Sequence, residues 1–207
     1  MWTIVVGGGG GERFGGPKQY ESLGSQRVID AAVDTARTAS DGVVIVVPAA
    51  DAEREGGVAG GATRSDSVRA GLAAVPAAAT VVCVHDAARP LASVALFEAV
   101  IAAVGAEGVD GAVPAVPVTD TIKVVDGSGR VTATPDRSTL VAVQTPQAFR
   151  AVALRRAHAA GPAGTDDAAL VEAAGGVVVV VAGEERNTKI TTPADLAQAR
   201  QWWAAGS

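Results

Sequence analysis

At 207 residues, 48% of them hydrophobic, the chain has material for one domain with a sizeable core. A formal net charge of −5 argues against general nucleic-acid binding and leaves room only for local cationic pockets. One cysteine excludes an internal disulfide, and with no apolar run of membrane-spanning length and no basic leader, a soluble cytoplasmic protein without a membrane partner is expected.

The first element is a short buried strand over residues 2–6, which runs directly into Gly7-Gly8-Gly9-Gly10-Gly11. Glycines strip the turn of side chains, so its N–H groups can approach a ligand and form an anion-binding nest. Arg13 and Lys18 follow and add full positive charges. Strand, bare loop and two cations together suggest a triphosphate site; the alternative is a flexible glycine linker. Val28, Ile29, Ala32, Val33 and Ala36 then recur at helical spacing, and residues 43–47 form the next valine-rich strand. Gly60-Gly61-Ala62-Thr63-Arg64-Ser65-Asp66-Ser67 leads into a helix over 65–75 that Pro76 stops. Glycines, an arginine and hydroxyls at a helix start suit an anionic ligand, although Ser65 and Ser67 are also ordinary capping residues.

Residues 80–85 give a third strand, with Cys83 inside it as a small buried hydrophobe. It ends in His85-Asp86-Ala87-Ala88-Arg89-Pro90, at the carboxyl edge where open α/β sheets bind ligands. There Asp86 can hold Mg2+ or a ribose hydroxyl and Arg89 can pair with phosphate; an ion pair closing a turn is the alternative. His85 suits a structural hydrogen bond better than general-base work. A helix capped by Ser93 covers 93–104, and a strand covers 111–116. Residues 120–126 and 130–134 flank Gly127-Ser128-Gly129, a hairpin that must project from a parallel sheet. Two-stranded ribbons are marginal in water, so the same arm of a second subunit would stabilise it; folding back over its own domain is the alternative. A strand at 141–145, helices at 166–174 and 194–203 and a strand at 177–181 complete the series, the last helix opened by Thr192-Pro193. Arg137, and Lys189 within Asn187-Thr188-Lys189-Ile190-Thr191, set two further cations near sheet edges.

This alternation is that of a single α/β domain over residues 1–207, with a mainly parallel sheet covered by helices and an arm at about 117–138. No Ser-His-Asp pattern with a nucleophile elbow and no His/Cys metal cluster is present. Gln19 follows Lys18, so the phosphate-loop signature of Walker-type hydrolases is missing. A dinucleotide site is weakened because Gly15-Gly16-Pro17 intervenes before any helix, and Pro48-Ala49-Ala50, not an acidic residue, follows the second strand.

Eight ordered blocks span nearly the whole chain. Gly9-x-Gly11-x-Arg13 with Pro17-Lys18-Gln19-Tyr20 is followed by Gly61-x-x-Arg64-x-x-Ser67-Val68 and by the His85 to Pro90 run. Val116-Pro117-Val118-x-Asp120-Thr121-Ile122-Lys123, Asp136-Arg137 and Gln144-Thr145-Pro146-Gln147-x-Phe149 come next, then Thr165-Asp166-Asp167-Ala168 and Asn187-x-Lys189-Ile190-Thr191. In this combination the chain strongly resembles the 2-C-methyl-D-erythritol 4-phosphate cytidylyltransferase family of the non-mevalonate isoprenoid pathway. The ribitol-5-phosphate cytidylyltransferases share most of the blocks and are the alternative. The resemblance implies a Rossmann-like nucleotidyltransferase fold, a homodimer joined through the arm, and Mg2+-dependent transfer of CMP from CTP to a sugar-alcohol phosphate. It implies that Gly7, Gly8, Gly9, Gly11 and Arg13 wrap the triphosphate while Lys18 contacts the α-phosphate. Gly61, Arg64 and Ser67 would hold the cytidine, with Asp86 and Ala87 near ribose and metal. Arg89, Thr121, Arg137, Thr165 and Lys189 would bind the incoming phosphate, Thr121 and Arg137 reaching over from the partner. Arg13, Lys18, Arg137 and Lys189 are the residues expected to carry the chemistry. The chain departs from the family pattern in having Gly7-Gly8 where two alanines are usual, a closer spacing of Arg13 and Lys18, and Thr188 in place of isoleucine.

Overall fold

The computed structural model describes residues 1–11, 13–160 and 166–206. In chain order, β1 (Trp2–Val6) leads through a small ribbon, β2 (Ser22–Leu23) and β3 (Gln26–Arg27), into α1 (Val28–Ala39). Then come β4 (Gly42–Val47), β5 (Val58–Ala59), α2 (Arg64–Ala74), β6 (Val81–Asp86), α3 (Val94–Val104) and β7 (Gly111–Pro117). The arm carries β8 (Val124–Val125) and β9 (Val131–Ala133), and β10 (Val141–Val143) and β11 (Gln147–Arg150) bring the chain back. Finally α4 (Ala151–Ala160), α5 (Asp167–Ala173), β12 (Val178–Ala182) and α6 (Pro193–Ala204) close the fold.

Seven strands of the central sheet lie in the order β10-β7-β11-β6-β1-β4-β5, and β12 pairs with β7. The β1–β4, β1–β6, β4–β5 and β7–β12 pairings are parallel. The exceptions are β11, which runs antiparallel to both β6 and β7, and β10, which runs antiparallel to β7. Register fixes the site: Val6 lies level with Val46 on one side and Asp86 on the other, so three parallel strands end together. The loops leaving them converge by construction, as open α/β sheets require of a ligand edge.

The central strands β1 and β6 are buried on both faces, and their side chains alternate between the two faces with period two. Ile4 faces α2, α4 and α5 with Val68, Leu72, Leu154 and Val171. Val5, one residue on, faces α1 and α3 with Ile29, Val33, Phe97 and Val100. Helix α1 forms because Val28, Ile29, Ala32, Val33 and Ala36 share its buried side, and the Asp30 carboxylate accepts the Arg27 N–H at its start. A third cluster of Leu23, Val28, Ile190 and Leu196, with Trp202 and Trp203 against it, seats α6. Cys83 is fully buried and burial pushes its thiol up to about 12, consistent with a packing role.

The arm stands apart from the sheet. Its turn is closed by Gly129, and the Asp126 carboxylate accepts the N–H groups of Ser128 and Arg130. The paired strands are shorter than the alternating sequence suggests, and Ile122, Val124, Val125 and Val131 are exposed. Among the described residues no helix is long and apolar enough to cross a membrane.

Candidate active site

A cleft of about 270 Å³ opens over the ends of β1 and β6. Its floor is backbone: Val6, Gly7, Gly8, Gly9 and Gly11 line it, as do Ala87 and Ala88. The glycine loop is a closed turn and not an open linker. The Gly11 carbonyl accepts the N–H groups of Phe14, Gly15 and Gly16 at 2.9, 2.9 and 3.3 Å, and the Gly16 carbonyl accepts that of Lys18 at 2.8 Å. Arg13, within this turn, and Lys18, just after it, both line the cleft. Behind Lys18, Tyr20 is anchored: its hydroxyl donates to Asp51 at 2.8 Å, and the guanidinium groups of Arg27 and Arg54 lie 5.6 and 5.0 Å from its ring centre. Lys18 therefore projects from a pinned segment. Burial lowers its pKa, and the neighbouring Lys189 and Arg13 charges add to that, so positive charge gathers in the cleft.

The start of α2 forms a second wall. Thr63 and Asp66 make a reciprocal capping box, and the Ser67 hydroxyl donates to the Thr63 carbonyl at 3.0 Å while accepting the Gly61 N–H at 3.2 Å. This holds Gly61 and Ser67 at the cleft and turns the Arg64 side chain across it. Arg64 Nε lies 3.2 Å from Asp86 Oδ1, its Nη1 lies 2.7 Å from Asp167 Oδ2, and Lys189 Nζ lies 2.6 Å from Asp86 Oδ2. Burial opposes ionisation of Asp86, but Arg64 and Lys189 outweigh it and hold the carboxyl well below the usual range. Burial likewise opposes the Arg64 charge, and Asp86 and Asp167 overcome it, so its pKa rises.

Two buried residues fix the strand ends beneath. The Thr145 hydroxyl accepts the Asp86 N–H at 3.0 Å and lies 3.1 Å from His85 Nδ1. His85 Nε2 lies 3.1 Å from the Arg89 carbonyl, which can only accept, so the ring carries hydrogen on Nε2 and takes the Thr145 hydrogen on Nδ1. Burial lowers His85 to about 4. It is a neutral structural ring and not a base, as its place inside a strand suggests. Asn187, fully buried, donates from Nδ2 to the Thr145 carbonyl at 2.9 Å, and Ile190 N–H donates to the Ala88 carbonyl at 2.8 Å. These bonds bracket Lys189 and deliver it to Asp86.

The residues singled out in the sequence divide accordingly. The glycine loop, Arg13, Lys18, Gly61, Arg64, Ser67, Asp86, Ala87 and Lys189 share one cleft. Arg89 is not among its lining residues; its Nη1 donates to the Asn187 carbonyl at 2.6 Å, and its Nε is buried without a partner among the described residues. Thr121 and Arg137 lie on the exposed arm, with Arg137 donating to the Thr119 carbonyl at 2.8 Å, and one chain alone does not bring them to the cleft. Thr165 lies outside the described residues. His158 carried no signal beyond ordinary helix composition, and Asp167 stood in the Thr165-Asp166-Asp167-Ala168 block without a role of its own, yet Asp167 reaches the site through Arg64. Among the described residues no group of three or more His, Cys, Asp or Glu could cage a metal, and Asp86 is the carboxylate that lines the cleft.

A Rossmann-like sheet that gathers cations and one carboxylate over a stripped backbone turn places the chain among the nucleotidyltransferases. Relatives narrow that class. The sequence pattern of the 2-C-methyl-D-erythritol 4-phosphate cytidylyltransferase family matches residues 1–203, and the chain belongs to that family. It is 45% identical over 211 residues to the 2-C-methyl-D-erythritol 4-phosphate cytidylyltransferase of Nocardia farcinica, covering 95% of this chain and 91% of that protein. The crystal structure of the Thermus thermophilus 2-C-methyl-D-erythritol 4-phosphate cytidylyltransferase matches with TM-score 0.83 at 32% identity, covering 97% of this chain and 98% of that one. A 4-diphosphocytidyl-2C-methyl-D-erythritol synthase from Anaerococcus prevotii gives TM-score 0.84 at 29% identity over 98% and 97% of the two chains.

Proposed function

We propose that this enzyme transfers the cytidylyl group of CTP to the phosphate of 2-C-methyl-D-erythritol 4-phosphate in the non-mevalonate route to isoprenoids. A phosphate oxygen of the acceptor forms the new bond to the α-phosphorus, and the bond to the β-phosphate oxygen breaks as pyrophosphate leaves with its electron pair. The observation that carries the reading is the meeting of Arg13, Lys18, Arg64 and Lys189 with Asp86 over the glycine turn. The family and its curated relatives favour methylerythritol phosphate over ribitol phosphate as acceptor.

The chemistry asks little of a general base, because the acceptor phosphate is already ionised at neutral pH. The difficulty is to bring two polyanions together and to stabilise the charge that grows on the α-phosphoryl and pyrophosphate oxygens. The N–H groups of Gly8 to Gly11 cradle the triphosphate, while that of Gly7 is already donated to the Val46 carbonyl at 2.7 Å and Gly7 serves by leaving the strand end bare. Lys18 and Arg13 face the charge that develops; burial and the Lys189 and Arg13 charges lower the Lys18 pKa, and a polyanion offsets those charges. Gly61, Arg64 and Ser67 hold the cytidine, Ala87 leaves room for the ribose, and Lys189 holds the attacking phosphate. Thr165 supports that phosphate, and Arg89, half-buried after the end of β6 and bonded to the Asn187 carbonyl, would have to turn into the cleft to do the same.

The donor set fits Mg2+ carried on the nucleotide: one carboxylate and the substrate's own oxygens are what that ion takes, and Asp86 would hold it. When bound, the ion offsets charge on the triphosphate. The arm completes the assembly. Its exposed Ile122, Val124, Val125 and Val131 suit burial against a second copy, and Thr121 and Arg137 then serve the partner's acceptor site. The protein works as a cytoplasmic homodimer with no nucleic-acid or membrane partner.

Pyrophosphate release with each of CTP, ATP, GTP and UTP, against methylerythritol phosphate and ribitol 5-phosphate in turn, tests the reading. Turnover with CTP and methylerythritol phosphate is expected to exceed every other pair by at least about 100-fold. Faster turnover with ribitol phosphate, or none with CTP, would overturn it.

A further inference from the structure

Asp167 is a carboxylate with no exposed surface, and nothing in the reaction above uses it. It does not serve as the cap of α5, because Asp166 already accepts the Ala169 N–H at 2.9 Å there. Its two oxygens are both committed. Oδ2 accepts from Arg64 Nη1 at 2.7 Å, and Oδ1 accepts from His158 Nε2 at 2.9 Å. His158 comes from α4 and is itself buried, with Nδ1 unpartnered among the described residues. Burying a charged pair is a poor way to gain stability, since an apolar filling of the same space serves as well or better. The pair therefore points to a geometric task at the other end of Arg64.

That end faces the cleft. Arg64 presents a planar fork of five N–H groups, and two carboxylates grip it by different edges: Asp86 at Nε and Asp167 at Nη1. Fixing two edges of a plane fixes the plane, and Nη2 is left with no partner among the described residues. The two grips differ in permanence. Asp86 lines the cleft and also holds Lys189, so an entering ligand competes for it. Asp167 lies beneath, out of reach of any ligand.

We infer that Asp167 and His158 are positioning residues, which hold the Arg64 guanidinium from behind so that its unused N–H groups stay aimed at the bound nucleotide when Asp86 turns to its ligands. His158 donates to Asp167 Oδ1 and keeps the carboxylate from rotating away from Arg64. The inference rests on the cytidylyltransferase reading and deepens it.

The test measures CTP affinity by calorimetry in the presence of Mg2+, alongside steady-state turnover with methylerythritol phosphate. Asp167→Asn keeps the shape but weakens the grip: CTP affinity is expected to fall about tenfold, with kcat at saturating CTP reduced less than about threefold. In an Arg64→Ala background the same substitution is expected to change CTP affinity by less than about twofold, because the residue acts through Arg64. His158 gives a second series that stands if the Asp167 variant fails to fold. His158→Gln places an amide N–H where Nε2 was and is expected to bind CTP within about twofold of the parent, whereas His158→Leu binds about fivefold more weakly. A packing role predicts the opposite order, with leucine the better tolerated. Unchanged CTP affinity in folded Asp167→Asn, or leucine matching glutamine at 158, overturns the inference while leaving parental turnover, and so the cytidylyltransferase reading, intact. A parent protein that neither binds CTP nor turns it over overturns both.

Discussion

Gly11→Ala tests whether the closed glycine turn is the nucleotide site. Gly11 sits at φ +70°, and a Cβ built there would lie 1.8 Å from the Gly16 carbonyl oxygen. The left-handed backbone alone costs an L-residue about 1–2 kcal/mol. The overlap is far too close to relax in place, so the turn must open and weaken the three N–H bonds to the Gly11 carbonyl. Exposed bonds of this kind contribute about 0.5 kcal/mol each at the low end, which puts the closed turn about 2–4 kcal/mol higher in all. Without ligand the loop simply opens, so the global cost is capped by local unfolding and Tm falls by no more than a few degrees. The nucleotide, however, must pay to close it again, and its apparent affinity falls about 30- to 700-fold. Calorimetric titration with CTP and thermal unfolding with and without CTP read the two effects separately. Wild-type CTP affinity in a folded Gly11→Ala protein refutes the reasoning. Gly7→Ala is the comparison: Gly7 has no positive φ, and its Cβ would lie 3.3 Å from Ala87 Cβ and 3.4 Å from Ile29 Cδ1, which calls for shifts of a few tenths of an ångström and not for opening the turn. It is expected to change CTP affinity less than about threefold and stability by less than about 1 kcal/mol, because no left-handed backbone or broken turn is involved.

Lys18→Ala is expected to lower kcat by at least about 100-fold while CTP still binds measurably in calorimetry; near-normal turnover removes Lys18 from the chemistry. An equal mixture of Lys18→Ala and Arg137→Ala subunits, refolded together, should recover about a quarter of parental activity, because half the dimers then hold one intact composite site. A mixture no more active than its parents ends the partner role of Arg137. His85 sets a pH dependence. Its folded pKa of about 4 lies below the free-histidine value near 6.5, so the unfolded chain takes up the extra proton and stability falls as pH drops through that window. The loss approaches roughly 3 kcal/mol by pH 4 and levels off within about a pH unit below it. Denaturant unfolding followed from pH 7 to 4 should show this slope in the parent and a flatter one in His85→Gln; identical slopes would assign the titration elsewhere.

The parallel strands β1, β4, β6, β7 and β12 were legible because apolar, valine-rich runs have no polar side to disguise them, and each falls within a residue or so of where its run suggests. Strand β11 was not, since Gln147-Ala148-Phe149-Arg150 is short and mixed, and only its antiparallel seat between β6 and β7 makes it a strand. The 141–145 run ends at Val143, where the chain leaves β7 and Thr145 is needed under Asp86. At the cleft, residues carried by loops after strand ends were visible, because glycine and isolated cations stand out against an acidic, alanine-rich background. Asp167 was hidden by its neighbour: Asp166-Asp167 before a helix reads as capping, and nothing local tells that one of the two turns inward to meet an arginine 103 positions earlier.

The stretch that leaves the arm is also the stretch that props the catalytic floor. Val141 to Val143 pair with β7, and two residues later Thr145 holds the backbone of Asp86 and the ring of His85. The projecting ribbon can thus be trimmed or swapped only upstream of Val141. A graft that shifts the chain by even one position beyond that point would leave the strand end under the nucleotide without its brace.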